Sequence, residues 1–126
     1  MQPLLIEAQD DTPQVTLDKS GNAFELSGKS LPEDVLKFYQ PIYDWLKQYA
    51  TDPNEETVVN LKIDYFNSAS HKAINYMLEI LVNIEKEAGK KVTVKWHYLA
   101  EDDDMLETGH DFADLTGLHF DYIGYV

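Results

Sequence analysis

Two hydrophobic periods alternate along the chain. Between Thr57 and Phe66, Val59, Leu61, Ile63 and Tyr65 share one side of an extended run, and Asn60, Lys62 and Asp64 share the other. This period of two marks a half-buried strand. The pattern returns from Lys91 to Tyr98, where Val92, Val94, Trp96 and Tyr98 oppose Thr93, Lys95 and His97. Between the two runs, Ala73, Ile74, Met77, Leu78, Leu81 and Val82 recur at helical spacing. That helix should run to Ala88 and stop at Gly89, a residue suited to the left-handed conformation that closes helices. Upstream, short strands are expected at Leu4–Ala8, Val15–Asp18 and Ala23–Ser27, the last two joined by a turn at Ser20, Gly21 and Asn22. The segment SLPE then opens a helix, with Ser30 as cap, Pro32 in the first turn and Glu33 at the capping-box position. Val35, Phe38, Ile42, Trp45, Leu46 and Tyr49 give it an apolar face, and Pro41 is expected to interrupt and kink it. A weaker helix from Asp102 to Leu115 ends at Gly117, and a last strand covers His119–Tyr125.

These elements imply a fold. Strand, helix and strand from 57 to 98 make a parallel unit with a right-handed crossover. Each strand is apolar on one face only, whereas a sheet covered by helices on both sides is apolar on both. The expected fold is α/β: a single domain with a mixed, open-faced sheet of about five to six strands and helices mainly on one face, STAS-like in general arrangement.

Composition narrows the function. The 126 residues show no repeat, linker or low-complexity tract, and they include no cysteine, hence no disulfide, thiolate nucleophile or cysteine metal site. No apolar run approaches the roughly 18 residues of a membrane span. The start, MQPLLIEAQDDTP, lacks the basic region of a signal peptide, so a cytoplasmic protein is expected. The net charge is −13 and every basic residue is lysine. Nucleic acid and anionic membranes are poor partners for such a surface, and there is no arginine fork for phosphate ligands.

Candidate catalytic chemistry is sparse. His71, His97, His110 and His119 are scattered. His110 and Asp114 are four residues apart and could share a helical face. Counted from Asp102, an EF-hand would need glycine at 107 and glutamate at 113, where this chain has Glu107 and Ala113. Asp102, Asp103 and Asp104 suit the first turn of a helix instead. With no phosphate-binding glycine loop and no nucleophile elbow, the chain reads as a non-enzyme without metal or cofactor. The alternatives are a small metal-dependent hydrolase using His110 and Asp114, or a homodimer built on the exposed sheet face around Lys62, Lys95 and His97.

The turn FNSAS places Ser68 and Ser70 where a strand hands over to a helix. Either hydroxyl could simply cap the helix. Either could instead be a modification site, because free backbone N–H groups and the helix dipole accommodate a phosphate there. Spacing alone leaves both readings open.

The segment IDYFNSASHKAINYMLEILVNIEKEAGKKVTVKWHY resembles the core of the SiaC family of bacterial partner-switch regulators, which act like anti-sigma-factor antagonists. The resemblance spans nearly the whole chain and includes Thr12, Pro13 and Val15 (TPxV), the SLPED helix start, the aromatic first helix and the KWHY strand. Its most specific part is the turn Tyr65, Phe66, Asn67, Ser68, Ala69, Ser70. The resemblance implies a phosphoprotein whose acceptor is the hydroxyl after the asparagine, here Ser68, with Ser70 as cap and fallback acceptor. The best-known member carries threonine there, and the Asp-Ser-Ser-Gly turn of STAS antagonists is absent. Implied partners are a serine/threonine protein kinase, a PP2C-type phosphatase and an effector, a diguanylate cyclase bound by the unphosphorylated form and tied to cyclic-di-GMP and biofilm regulation. The expected partner surface comprises Asn67, Ser68, Ser70, His71, Lys72 and Asn75, with Ala69 small enough for close approach.

Overall fold

The computed structural model describes residues 1–126. Six strands form one sheet in the order of the chain: β1 (Leu4–Ile6), β2 (Gln14–Asp18), β3 (Ala23–Ser30), β4 (Glu56–Phe66), β5 (Lys91–Leu99) and β6 (His119–Tyr125). The first three are antiparallel neighbours; β3 to β6 run parallel. Each parallel step carries a helix: α1 (Val35–Tyr49), α2 (Ser68–Asn83) and α3 (Asp103–Thr116). Three crossovers of the usual right hand, all advancing the same way across the sheet, put all three helices on one face. There α1 packs on α2 and α2 on α3.

The core lies between the sheet and this layer. Phe24, Leu26, Leu61, Val92, Val94 and Trp96 from the strands meet Tyr39, Ile42, Leu46, Ile74 and Leu78 from the helices, all buried. On the other face, Asn60 pairs laterally with Lys95, the His97 ring lies 3.0 Å from Asn60 Oδ1, and Lys62 bridges to Glu25 at 3.2 Å. This is the open polar face that the strand alternation requires.

Three local expectations are corrected. Ser30 does not cap α1: it is the last residue of β3 and is buried, while Asp34 caps the helix by accepting the Lys37 N–H at 3.1 Å. Pro41 does not divide α1, which is continuous from Val35 to Tyr49. Tyr39, Ile42 and Tyr43 beside the proline, and Trp45, Leu46 and Tyr49 beyond it, are all buried in one core, so both halves of the helix pack through the same face. Tyr65, expected on the core face, is 57% exposed. The β3–β4 register passes from Gly28↔Ile63 to Lys29↔Tyr65, so Asp64 is an extra residue in β4. One inserted residue reverses the faces beyond it, and Phe66 packs against the core in place of Tyr65.

Candidate functional site

This bulge lies just before the FNSAS turn, at the end of β4. Asn67 is the N-cap of α2: its backbone is extended (φ −92°, ψ 179°) and its Oδ1 accepts the Ser70 N–H at 2.9 Å. Its carbonyl accepts the His71 N–H, also at 2.9 Å. Ser68 is the first helical residue, and its side chain is exposed. The N–H groups of Ser68 and Ala69 belong to the first turn, where no intrahelical acceptor exists.

Ser70 takes a different part from the one expected. It is not the cap, and it is 0% exposed. Its hydroxyl donates to the Ser30 carbonyl at 2.8 Å and accepts from Ser30 Oγ at 2.9 Å. Ser30 Oγ also lies 2.6 Å from the Tyr39 hydroxyl. Since the one Ser30 proton is already given to Ser70, Tyr39 is the donor in that third bond. Burial raises the Tyr39 pKa above its ordinary value, so the phenol keeps the proton it donates. This chain of hydroxyls joins the end of β3, helix α1 and the first turn of α2, and it withdraws Ser70 from the exposed surface.

The remaining residues of the turn divide by accessibility. Lys72 is exposed and forms no ion pair. His71 is half-buried, its ring stacked on Phe112 of α3 at 4.5 Å and 5.9 Å from the Phe66 ring. Asn75 gives its Nδ2 to Glu79 at 3.3 Å, and its Oδ1 has no partner. Phe66, Asn67, Ser68, His71 and Lys72 together line a shallow polar depression. The other candidates lie elsewhere: the His110 ring rests 4.2 Å from Tyr122 and forms no ion pair with Asp114, and Lys62, Lys95 and His97 sit on the opposite face of the sheet.

Beside the depression is a feature that periodicity did not single out. Val35, Leu36 and Tyr43 of α1 face Ala69, Ala73 and Tyr76 of α2 across an apolar trough. Leu36 is 61% exposed and Tyr76 41%. Both stand outside the buried stripe of their helices, and an apolar residue out of phase was the available signal.

The model of the SiaC family, described as SiaC family regulatory phosphoprotein, matches residues 6–125. The chain belongs to that family. An uncharacterized protein of Pseudomonas aeruginosa strain UCBPP-PA14 is 25% identical over 114 residues, 90% of each chain. Crystal structures share the fold. Apo-SiaC from Pseudomonas aeruginosa aligns with a TM-score of 0.88 at 23% identity, covering 98% of this chain and 100% of that one. A structure described as diguanylate cyclase SiaD in complex with its activator SiaC, from the same organism, aligns at TM-score 0.90 and 23% identity, covering 97% and 99%. A family member is thus the regulatory partner of a cyclase.

Proposed function

We propose that this chain is a non-enzymatic, cytoplasmic signalling adaptor whose unphosphorylated form binds and regulates a diguanylate cyclase. A serine/threonine kinase transfers phosphate to the Ser68 hydroxyl, and a PP2C-type phosphatase removes it. The observation that carries the reading is the contrast within one turn: Ser68 is exposed at the start of α2, and Ser70 is buried and bonded. Only Ser68 is open to a kinase without local unfolding. A phosphate there adds about −1.5 to −2 charges at a surface formed by Asn67, Ser68, His71, Lys72 and Asn75. The helix N-terminus tolerates that charge, whereas an effector docked on the same residues must meet its bulk and field. The SiaC–SiaD complex supports the choice of effector class.

The test is phosphopeptide mapping of the protein isolated from its own host, grown in at least two conditions, with pull-down of the host's cyclase. A phosphate on Ser68 that varies with conditions, cyclase capture by Ser68→Ala and loss of capture by Ser68→Glu are expected. A chain never phosphorylated at Ser68, or an Ala variant that fails as completely as Glu, would refute the charge switch.

A further inference from the structure

The two edges of the sheet differ. β1 has three residues and follows directly on Pro3, and shortness and proline are common guards of an edge. β6 pairs with β5 on one side only and forms the other edge over seven residues, with no proline, lysine or bulge. Half of its backbone N–H and C=O groups therefore point outward without a partner.

Side chains along this edge fall on two faces. Phe120, Tyr122 and Gly124 turn toward the helices: Phe120 is buried, Tyr122 packs against the core, and a Cβ on Gly124 would lie 3.3 Å from the Tyr98 ring. His119, Asp121, Ile123 and Tyr125 turn to the open face. Ile123 and Tyr125 are 36% and 37% exposed, and Leu99, the partner of Tyr125 in the β5–β6 register, is 51% exposed. These three make an apolar corner beside the unpaired backbone.

Charge around the edge has one sign. From Trp96 to Val126 the chain carries eight acids and no lysine. The phenol pKa values of Tyr122 and Tyr125 are raised, first by burial, then by Asp114 near Tyr122 and by Asp64 and Asp102 near Tyr125. On the strand itself, Asp121 Oδ1 lies 2.8 Å from His119 Nε2.

We propose that the β6 edge takes up an extended, basic segment of a partner protein as a seventh strand. The segment's main chain pairs with the outward groups of β6 and supplies affinity, while its alternate side chains set specificity. β-Branched or aromatic residues suit the positions beside Ile123 and Tyr125, and lysine or arginine suits the position beside Asp121, because directly opposed cross-strand pairs interact. A helix cannot take this place, since its backbone groups are already bonded to one another. A second copy is disfavoured by charge: joining two β6 edges brings together two stretches of eight acids with no lysine between them. The edge is two strands from β4, a separation of about 10 Å at 4.8 Å per strand. A segment added there leaves the Ser68 turn uncovered, so the two surfaces can be occupied together.

Three short peptides titrated against the full chain test this. The first alternates lysine with valine and threonine, and the second replaces its lysines by glutamate. The third keeps the lysines and carries proline at alternate positions, which removes donors and blocks pairing. By fluorescence anisotropy, the first should bind about tenfold more tightly than the second at low salt, with the gap narrowing as salt rises. The third should bind about tenfold more weakly than the first, which separates strand addition from general attraction to a chain of charge −13. Amide exchange followed by NMR should slow at alternate residues of β6. Ile123→Lys, which adds a guard to the edge, should weaken the first peptide severalfold, and Asp121→Asn should shrink the preference for lysine over glutamate. No binding of the first peptide up to about 1 mM, equal binding of the second or third, or slowed exchange confined to other elements overturns the proposal. So does a chain that sediments as a dimer and becomes monomeric with Ile123→Lys, because the edge is then filled by a second copy. None of these readouts depends on the state of Ser68.

Discussion

Ser68 and Ser70 lie two residues apart on one helical turn and have opposite environments: one hydroxyl meets solvent, and the other is bonded to Ser30 beneath the surface. Their alanine variants should therefore differ in kind. Ser70→Ala removes two buried hydrogen bonds, leaving the Ser30 hydroxyl with Tyr39 alone and its carbonyl without the Ser70 donor, and should destabilise the fold by about 1–3 kcal/mol. Ser68→Ala removes no bond and should stay within about 0.5 kcal/mol of wild type. Urea unfolding of the two variants measures the difference; equal midpoints would disprove the buried hydroxyl chain.

Asn67 stabilises α2 through one bond, from the Ser70 N–H to its Oδ1. Asn67→Ala should lower stability by about 1 kcal/mol, and Asn67→Asp should restore it, since aspartate caps equally well and adds negative charge at the positive end of the dipole. Thermal melts of the three proteins decide this, and an aspartate variant no better than alanine would show that capping is not the role of Asn67.

Gly109 lies inside α3, where alanine normally gains about 1 kcal/mol over glycine. Here the opposite is expected. A Cβ at 109 would lie 2.6 Å from Trp96 Cδ1 and 2.7 Å from Nε1. The indole is buried and donates to the Met105 carbonyl at 2.9 Å. Gly109→Ala must displace a packed ring and strain that bond, a loss of about 1–3 kcal/mol. A stabilised variant would refute the close approach of α3 to Trp96.

On the open sheet face, His97 has its pKa lowered from the ordinary 6.5, first by burial of the ring and then by the nearby Lys62. The folded state therefore binds fewer protons than the unfolded chain between the lowered value and 6.5. Stability rises with pH through that window and is lost as pH falls below the ordinary value. The wild type should lose more melting temperature than His97→Gln between about pH 7 and 5; parallel curves would remove His97 as the cause.

The sequence was most informative where one physical period governed a whole element. The alternation in β4 and β5 and the helical spacing in α2 specified a one-sided sheet, because a residue's facing depends only on its neighbours along the chain. Legibility failed where a distant partner decided. Ser30 has the composition of a cap, yet Tyr39 and Ser70 bury it. Tyr65 continues the alternation of β4, but a register shift against Gly28 and Lys29 turns it outward. The turn itself was readable as a strand-to-helix junction, but the division of labour between its two serines was not: both are small hydroxyls at cap-compatible positions, and only the approach of β3 separates them. Leu36 and Tyr76 stood out of phase in plain view, and they gain meaning only when the fold brings α1 and α2 side by side.

The hydroxyl chain from Tyr39 through Ser30 to Ser70 pins the first turn of α2 to the rest of the protein immediately beneath Ser68. A platform fixed in this way has little freedom to transmit a signal by changing shape. Under the proposed switch, a phosphate on Ser68 would meet partners as an altered surface on an unaltered body, and the tempo of such a circuit would belong to the enzymes that write and erase the mark rather than to any rearrangement of the chain that carries it.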